Sequence, residues 1–168
     1  MVAEIDAFQE VYMDRISQLT NKTNQFNLTT RRFQRGEMDA FAADDATITL
    51  YGKLKDKFGD NGLVSVIAGR IEDETLHVFL WLMSCRVLKR GMEYAMADVL
   101  IERARARGVK IILGEYRKSD KNQMVELHYE SLGFRCTETR NDGATWVLEI
   151  DDALAPLNHN IKVIPYGS

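Results

Sequence analysis

The sequence has few cysteines and no long apolar run, and each shortage excludes a class of protein. Two cysteines, Cys85 and Cys136, are too few for the disulfide framework of a small secreted protein. The longest uninterrupted apolar stretch is about half of what a membrane-spanning helix needs, and the acid-containing N-terminus lacks the apolar core of a signal peptide. The cytoplasm is therefore the expected compartment, and no membrane partner is expected.

Positive charge is also in short supply, because 22 Lys and Arg face 25 Asp and Glu, which gives a net charge of −3. This balance argues against general nucleic-acid binding, so any basic cluster is a local feature of an acidic body. A chain of 168 residues is long enough for one domain with a sizeable core. We divide this domain into an N-terminal helix and connector (1–24), a core (25–150) and a tail (151–168).

Residues 80–96 (LWLMSCRVLKRGMEYAM) carry the pattern around which the chain is organised. Their apolar start predicts a strand buried on both faces, and helical spacing begins after Gly91. A strand that leads through a glycine-bearing turn into a helix can bind an anion, because free N–H groups of the first helical turn point at it. Arg86, Lys89 and Arg90 add three cations beside this turn. An ordinary crossover connection is the alternative interpretation.

Hydrophobic periodicity predicts a mixed sheet with helices on both faces, an α/β (α+β) fold. Helical spacing covers residues 4–19, 35–43, 91–107 and 121–132, and strand patterns cover 26–33, 47–55, 63–71, 75–84, 110–116, 134–140 and 145–150. The second to fourth strands form an antiparallel meander. The strand, helix and strand that follow predict a right-handed parallel crossover, and the Asn-Asp-Gly sequence ending at Gly143 predicts a C-terminal hairpin.

This order of elements resembles the GNAT acyltransferase fold, and two motifs strengthen the resemblance. The residues Asn122, Val125, Tyr129 and Gly133-Phe134 fit the N-x-x-A-x-x-x-Y-x-x-x-G-F signature of the last helix in that superfamily. The sequence RGMEYA (90–95) lies where GNAT enzymes carry Q/R-G-x-G-x-G/A, the loop around the coenzyme A pyrophosphate. Glu93 replaces the second glycine of that loop, and a carboxylate there should repel the pyrophosphate.

A narrower resemblance covers almost the whole chain. Five segments in order look like the C-terminal domain of FkbH-like proteins: RISQLTNKTNQFNLTTRRF, DKFGDNGLVSV, SCRVLKRGMEYA, GEYRKSDKNQMVELHYESLGF and TWVLEI. A haloacid-dehalogenase-type domain precedes this domain in that family, which is associated with loading a glyceryl or related three-carbon unit from an acyl phosphate onto an acyl carrier protein. The D-x-D-x-T/V motif of the preceding domain is not found here. The chain therefore resembles the GNAT-like half alone, with the other domain expected in cis or in trans.

The resemblance implies a catalytic role for Cys85, because a GNAT fold places the thioester of a bound acyl-pantetheine at the end of the central strand. Arg86, Lys89, Arg90 and the following helix N-terminus should increase the thiolate fraction of this cysteine. It would then carry an acyl unit before transfer to a pantetheine thiol. A small buried apolar role is the alternative. Cys136 lies outside any motif, and we expect it in the core.

Other site residues follow from the same resemblance. Tyr129 matches the GNAT residue that protonates the leaving thiolate, with a core tyrosine as the alternative. Asn122 is expected either to bond the pantetheine amide or to help cap its helix. Glu115 is expected to pair with Arg86, with orientation of a substrate hydroxyl as the alternative. No cluster has metal-ligand spacing, so no metal is expected. The expected phosphopantetheine-binding or acetyl-CoA-binding residues are Arg86, Lys89, Arg90, Gly91, Glu93 and Asn122.

Three functions remain open from the sequence. The leading one is an acyltransferase-type domain that binds an acyl-phosphopantetheine carrier and assists acyl transfer, glyceryl by the resemblance, in secondary-metabolite-type biosynthesis. One alternative is an acetyl-CoA-dependent N-acetyltransferase, against which Glu93 argues. The other is a non-catalytic module that presents the carrier protein to the phosphatase-like domain.

Overall fold

The computed structural model describes all 168 residues, which form eight strands and four α-helices. The strands are β1 (Val2–Asp6), β2 (Thr47–Asp56), β3 (Gly59–Glu72), β4 (Thr75–Met83), β5 (Ile111–Arg117), β6 (Arg135–Arg140), β7 (Gly143–Glu149) and β8 (Lys162–Ile164). The helices are α1 (Met13–Lys22), α2 (Arg35–Ala43), α3 (Met92–Ala106) and α4 (His128–Ser131). None of these helices combines the length and the apolarity that crossing a membrane requires.

All eight strands belong to one mixed sheet in the order β6-β7-β5-β4-β3-β2-β1-β8. The predicted meander is confirmed, because β2, β3 and β4 pair antiparallel in succession. The predicted crossover is confirmed as well, since β4 and β5 are parallel neighbours joined through α3. The predicted hairpin is formed by β6 and β7. A second parallel pair, β1 with β8, lies at the opposite end of the sheet.

Helices cover both faces of the sheet, as the periodicity predicts. On one face, α1 and α2 bury Ile16 and Met38 against the sheet. On the other face, α3 and α4 bury Leu100 and Tyr129 in the larger apolar cluster. Burial of these two apolar surfaces is the main favourable contribution to folding.

Two predictions for the N-terminal part of the chain are wrong. Residues 4–19 are not one helix, because Val2–Asp6 forms β1 and α1 begins only at Met13. The buried positions of β1 alternate, and pairing with β2, which no local pattern shows, decides in favour of a strand. Residues 26–33 form no strand either; they make a single antiparallel bridge, Asn27↔Leu82.

Two predictions for the C-terminal part also fail. The helix expected over 121–132 is divided into a 3-10 turn, Gln123–Val125, and the short α4. The side chain of Asn122 accepts a hydrogen bond from the backbone of Ser119 and holds a turn where the helix was expected to begin. Cys136 is exposed rather than buried, because β6 is an edge strand whose side chains are almost all exposed.

A β-bulge at Phe79 determines the shape of the central part of the sheet. The pairing of β4 with β3 skips Phe79, so that Val78 and Trp81 lie on the same face although three positions separate them. The pairing of β4 with β5 ends one residue before the bulge, at Val78↔Gly114. Beyond this point the two parallel strands separate and leave a gap between their C-terminal ends.

Candidate functional site

The gap between the ends of β4 and β5 is filled by residues 26–29 of the same chain, which we call the strap. The N–H of Leu28 donates to the carbonyl oxygen of Trp81, and the N–H of Met83 donates to that of Phe26, each at 3.0 Å. All four strap residues are buried. Separated parallel strands leave backbone groups without partners, and the strap satisfies those of β4.

Asn122 fixes the strap to β5. Its Nδ2 donates to the backbone oxygens of Asn27 at 2.9 Å and of Arg117 at 2.8 Å, while its Oδ1 accepts from the N–H of Ser119 at 2.8 Å. The N–H of Arg117 in turn donates to the oxygen of Leu28 at 2.8 Å. Asn122 is fully buried, so its amide is committed to the protein's own backbone.

Three buried aromatic side chains lie together beneath the strap. The ring of His128 is 4.6 Å from that of Trp81, 5.3 Å from that of Tyr129 and 5.1 Å from that of Phe26. Nε1 of Trp81, Nε2 of His128 and the hydroxyl of Tyr129 are buried without a hydrogen-bond partner. Burial lowers the pKa of His128 to about 3, so this imidazole is neutral. Burial, with a smaller contribution from Glu115, raises the pKa of Tyr129, so its phenol stays protonated.

Cys85 lies just after β4, at the rim of the gap and outside the strap. Its side chain is exposed, and its Sγ donates a hydrogen bond to Oε1 of Gln25 at 3.2 Å. An open cavity of about 630 Å³ adjoins this sulfur, and its lining includes Arg15, Lys22 and Lys121 but no carboxylate. The electrostatic potential in this cavity is therefore positive.

The cations that the sequence places next to Cys85 do not line this cavity. Arg86 folds back, with its Nε 3.3 Å from Oγ of Ser84. The segment Lys89–Gly91 lines a second cavity, of about 680 Å³, together with the β2–β3 turn that carries the exposed Phe58. Arg90 forms an ion pair with Asp56 in that cavity. The predicted basic cluster is therefore divided between two places.

The turn before α3 has the predicted form. Gly91 has a φ of +83°, a value that favours glycine, and it immediately precedes the helix. Glu93 lies in the first turn of α3, and its Oε2 is buried without a partner. The positive end of the helix dipole favours the negative charge of this carboxylate. Glu93 therefore occupies the N-terminal end of α3, where the same dipole would otherwise favour an external anion.

The remaining polar groups add no second reactive centre. Glu115 does not pair with Arg86 as predicted; its Oε1 is 3.0 Å from Nε of Arg117 and 4.0 Å from Nη2 of Arg140. No group of three or more His, Cys, Asp or Glu side chains comes together to hold a metal ion. Sequence reasoning missed the cations of α1 and the residue Lys121 beside Cys85, because their proximity depends entirely on the tertiary fold.

No model of a known protein family matches the chain, and no curated protein sequence matches it. Solved structures do match its fold. The ribosomal-protein-S18-alanine N-acetyltransferase from Escherichia coli has a TM-score of 0.66 at 14% identity, over 94% of this chain and 100% of that one. The GNAT domain of S. lividans PAT gives 0.68 at 14%, over 88% and 90%. YncA of Salmonella typhimurium, solved with its cofactor acetyl-CoA, gives 0.62 at 16%, over 93% and 98%. The chain therefore has the GNAT fold.

Proposed function

We propose that this chain is an acyltransferase-type domain that accepts the phosphopantetheine arm of an acyl carrier protein and assists transfer of a glyceryl or related three-carbon acyl unit. The observation that carries the proposal is the exposed Cys85 beside a cavity lined by cations, outside the closed gap. The resemblance of five sequence segments to FkbH-like proteins supports the choice of acyl unit and carrier.

Cys85 is the acyl carrier in this proposal. Its thiolate attacks the carbonyl carbon of an acyl phosphate, the new S–C bond forms, and phosphate leaves with the electrons of the broken C–O bond. A pantetheine thiolate then attacks the resulting thioester, and Cys85 departs as a thiolate that takes up a proton again. Arg15, Lys22 and Lys121 favour the negative charge that develops in both steps.

One feature favours a carrier-bound arm over free acetyl-CoA, and two others restrict entry of either ligand into the gap. The strap fills the gap between β4 and β5, and Asn122 bonds the strap instead of an amide of the cofactor. Glu93 places a carboxylate in the first turn of α3, where it opposes a pyrophosphate. An arm on a carrier protein has a single phosphate instead of this pyrophosphate, and its thiol can meet the exposed Cys85 at the rim of the gap.

The second cavity is the proposed site for the phosphate end of the arm. Lys89 and Gly91 line it, and Lys57 joins them from the β2–β3 turn. Arg90 is neutralised there by Asp56, so the two lysines supply the charge. Tyr129 is the proposed general acid for the departing thiolate of Cys85 once the strap has moved, because burial keeps its hydroxyl protonated and no protein group bonds that hydroxyl.

A second candidate function is a non-catalytic module that presents the carrier protein to a haloacid-dehalogenase-type domain. The observation that favours it is the closed gap, which seals Tyr129 at 1% exposure. A module of this kind would need no reactive cysteine, so the two candidates differ in what they require of Cys85.

Transfer of glyceryl to a holo carrier protein, in a system reassembled with the phosphatase-like domain, tests the proposal. We expect Cys85→Ser to lower the transfer rate by at least about 100-fold, because a serine hydroxyl is a far weaker nucleophile at neutral pH. Cys136→Ser is the matched control, since it removes the other exposed thiol, and should leave the rate unchanged. Undiminished transfer by Cys85→Ser would favour the presenting module.

A further inference from the structure

We infer that the strap is a displaceable plug, and that the hydrogen bond between Cys85 and Gln25 couples its position to acylation of Cys85. The displacement of the strap is inferred from its own contacts and does not depend on the proposed function. Its coupling to acylation rests on the proposed function, in which Cys85 carries the acyl unit. The inference gives the domain a closed state, in which Cys85 is accessible and Tyr129 is sealed, and an open state in which both are accessible.

The first observation is the chemistry of what the strap covers. Trp81, His128 and Tyr129 each direct a polar atom into the protein interior, and none of these atoms has a partner. Buried polar atoms are nearly always hydrogen-bonded in folded proteins. Three unpartnered polar side chains in mutual contact are therefore expected of a site that receives polar groups, rather than of a permanent core.

The second observation is how the strap is held. Oγ1 of Thr29 donates to the carbonyl oxygen of the bulge residue Phe79 at 2.9 Å. With the backbone bonds at Trp81 and Met83, the strap thus satisfies three groups along the edge of β4: the carbonyl oxygens of Phe79 and Trp81, which accept, and the N–H of Met83, which donates. Any extended chain that contains amides can satisfy the same groups, so removing the strap leaves an edge that suits a ligand of that chemical class.

The third observation is backbone strain where the strap ends. Thr30 has a φ of +54°, in the left-handed region that β-branched residues rarely adopt. Its N–H donates to Oδ1 of Asn27 at 2.9 Å, which holds the strained residue against the strap. Such strain persists only where surrounding contacts over-determine the conformation, and it is relieved when the strap leaves the gap.

The coupling to chemistry follows from Gln25, the residue immediately before the strap. Oε1 of Gln25 accepts the hydrogen bond of the Cys85 thiol. A thioester at Cys85 has no S–H group, so acylation removes this bond. The acyl group would also occupy the cavity that Thr23, Asn24 and Gln25 line. A thiol is a weak donor and this bond is exposed, so its loss should raise the open population of the strap by up to about fivefold. Tyr129 thus becomes accessible when an acyl unit is present to be transferred.

Amide hydrogen exchange tests the displacement of the strap, in a variant in which an engineered disulfide holds the strap against β4. Asn27 and Leu82 form a non-hydrogen-bonded antiparallel pair, which brings their Cα atoms to a separation that suits a disulfide. We expect the amides of Leu28, Met83 and Arg117 to exchange together, before those of the β2–β3 ladder. The oxidised Asn27→Cys/Leu82→Cys variant should slow these three amides at least about tenfold relative to its own reduced form. The inference would be overturned if the three amides exchanged only at the rate of global unfolding in both the wild type and the reduced variant.

Alkylation tests the coupling. Iodoacetamide treatment of a Cys136→Ser variant modifies Cys85 and removes its S–H donor, as acylation does. We expect the three strap amides to exchange faster, by up to about fivefold, with the β2–β3 ladder unchanged. Cys85→Ser, which keeps a hydroxyl donor, should behave as the unmodified protein. No acceleration after alkylation overturns the coupling.

Different results would contradict the proposed function and the displacement of the strap. If the strap amides exchange by local opening but Cys85 is never acylated, the proposed function is contradicted and the displacement of the strap is not. If the protein transfers the acyl group but its strap amides exchange only through global unfolding, the displacement of the strap is contradicted and the proposed function is not.

Discussion

Nδ2 of Asn122 donates a hydrogen bond to the backbone oxygen of Asn27 at 2.9 Å, although 95 positions separate the two residues. The same nitrogen donates to the backbone oxygen of Arg117 at 2.8 Å. One side chain therefore joins the strap to the end of β5 and keeps the gap closed. The side chain of Asn122 is thus used to hold the protein's own backbone.

Removal of this side chain should destabilise the protein. Asn122→Ala leaves the buried carbonyl oxygen of Asn27, the partly buried oxygen of Arg117 and the partly buried N–H of Ser119 without their partner. We expect the free energy of unfolding to fall by about 2–4 kcal/mol, measured by urea denaturation. Gln123→Ala is the control, because Gln123 is exposed next to it and should change stability by less than about 0.5 kcal/mol. Equal stability of the two variants would contradict the role of Asn122 as the fastener of the strap.

Close approach of Tyr129 to β5 requires a glycine at position 114. A Cβ at Gly114 would lie 2.4 Å from two ring atoms of Tyr129. Gly114→Ala should therefore cost about 1–3 kcal/mol of stability, because the ring and its buried neighbours must shift. Gly36→Ala in α2 has nothing within 4 Å of the added carbon and should stabilise the protein by about 0.5–1 kcal/mol. Thermal and urea midpoints that move the same way in both variants would contradict this packing.

The burial of His128 should make stability depend on pH. Its pKa is lowered to about 3 in the folded protein from 6.5, the ordinary value that we take for the unfolded chain. Between these values the unfolded state binds the extra proton, so the free energy of unfolding decreases as the pH falls from 6.5. The slope is up to about 1.4 kcal/mol per pH unit. His128→Phe keeps an aromatic ring and removes the titration. The stability difference between wild type and variant should therefore change between pH 7 and pH 4, and a constant difference would show that the imidazole is not buried as described.

Free acetyl-CoA should not stabilise the protein in its closed state. A ligand at about 100 times its dissociation constant adds about 2.7 kcal/mol, which for this size of domain raises the melting midpoint by about 5–10 °C. We expect no such shift, because the strap occupies the gap and Glu93 lies in the first turn of α3. A shift of that size would favour an acetyl-CoA-dependent N-acetyltransferase. Glu93→Gly then separates the two obstacles, since a shift in this variant alone would assign the exclusion to the carboxylate.

The meander, the crossover and the C-terminal hairpin could be predicted because each has a local signal. Alternation over β2, the apolar run of β4, helical spacing over α3 and the turn before Gly143 are all contained in short windows of sequence. The strap could not be predicted in this way. Phe26 and Leu28 alternate as in a strand, but their place in the gap depends on the bulge at Phe79, which is a property of the pairing between β3 and β4.

The candidate site shows the same limit. The position of Cys85 just after β4 follows from the end of an apolar run. The identity of its cationic neighbours does not, because Arg15, Lys22 and Lys121 reach it from distant parts of the chain. The sequence neighbours of Cys85 are redirected by the 3-10 turn Cys85–Val87, so nearness in sequence is a poor guide to charge at this sulfur.

The central claim is that Cys85 carries the acyl unit, and intact-protein mass spectrometry tests it most directly. The protein is first incubated with a glyceryl thioester of N-acetylcysteamine, a small mimic of the pantetheine end. Thioester exchange transfers the acyl group to a protein thiol and releases N-acetylcysteamine, so atoms and charge balance without a further reagent. We expect Cys136→Ser to gain one glyceryl group on Cys85, at least about tenfold faster than Cys85→Ser gains one on Cys136, because three cations and no carboxylate line the cavity beside Cys85. Equal rates for the two variants, or no acyl group on Cys85, would contradict the account.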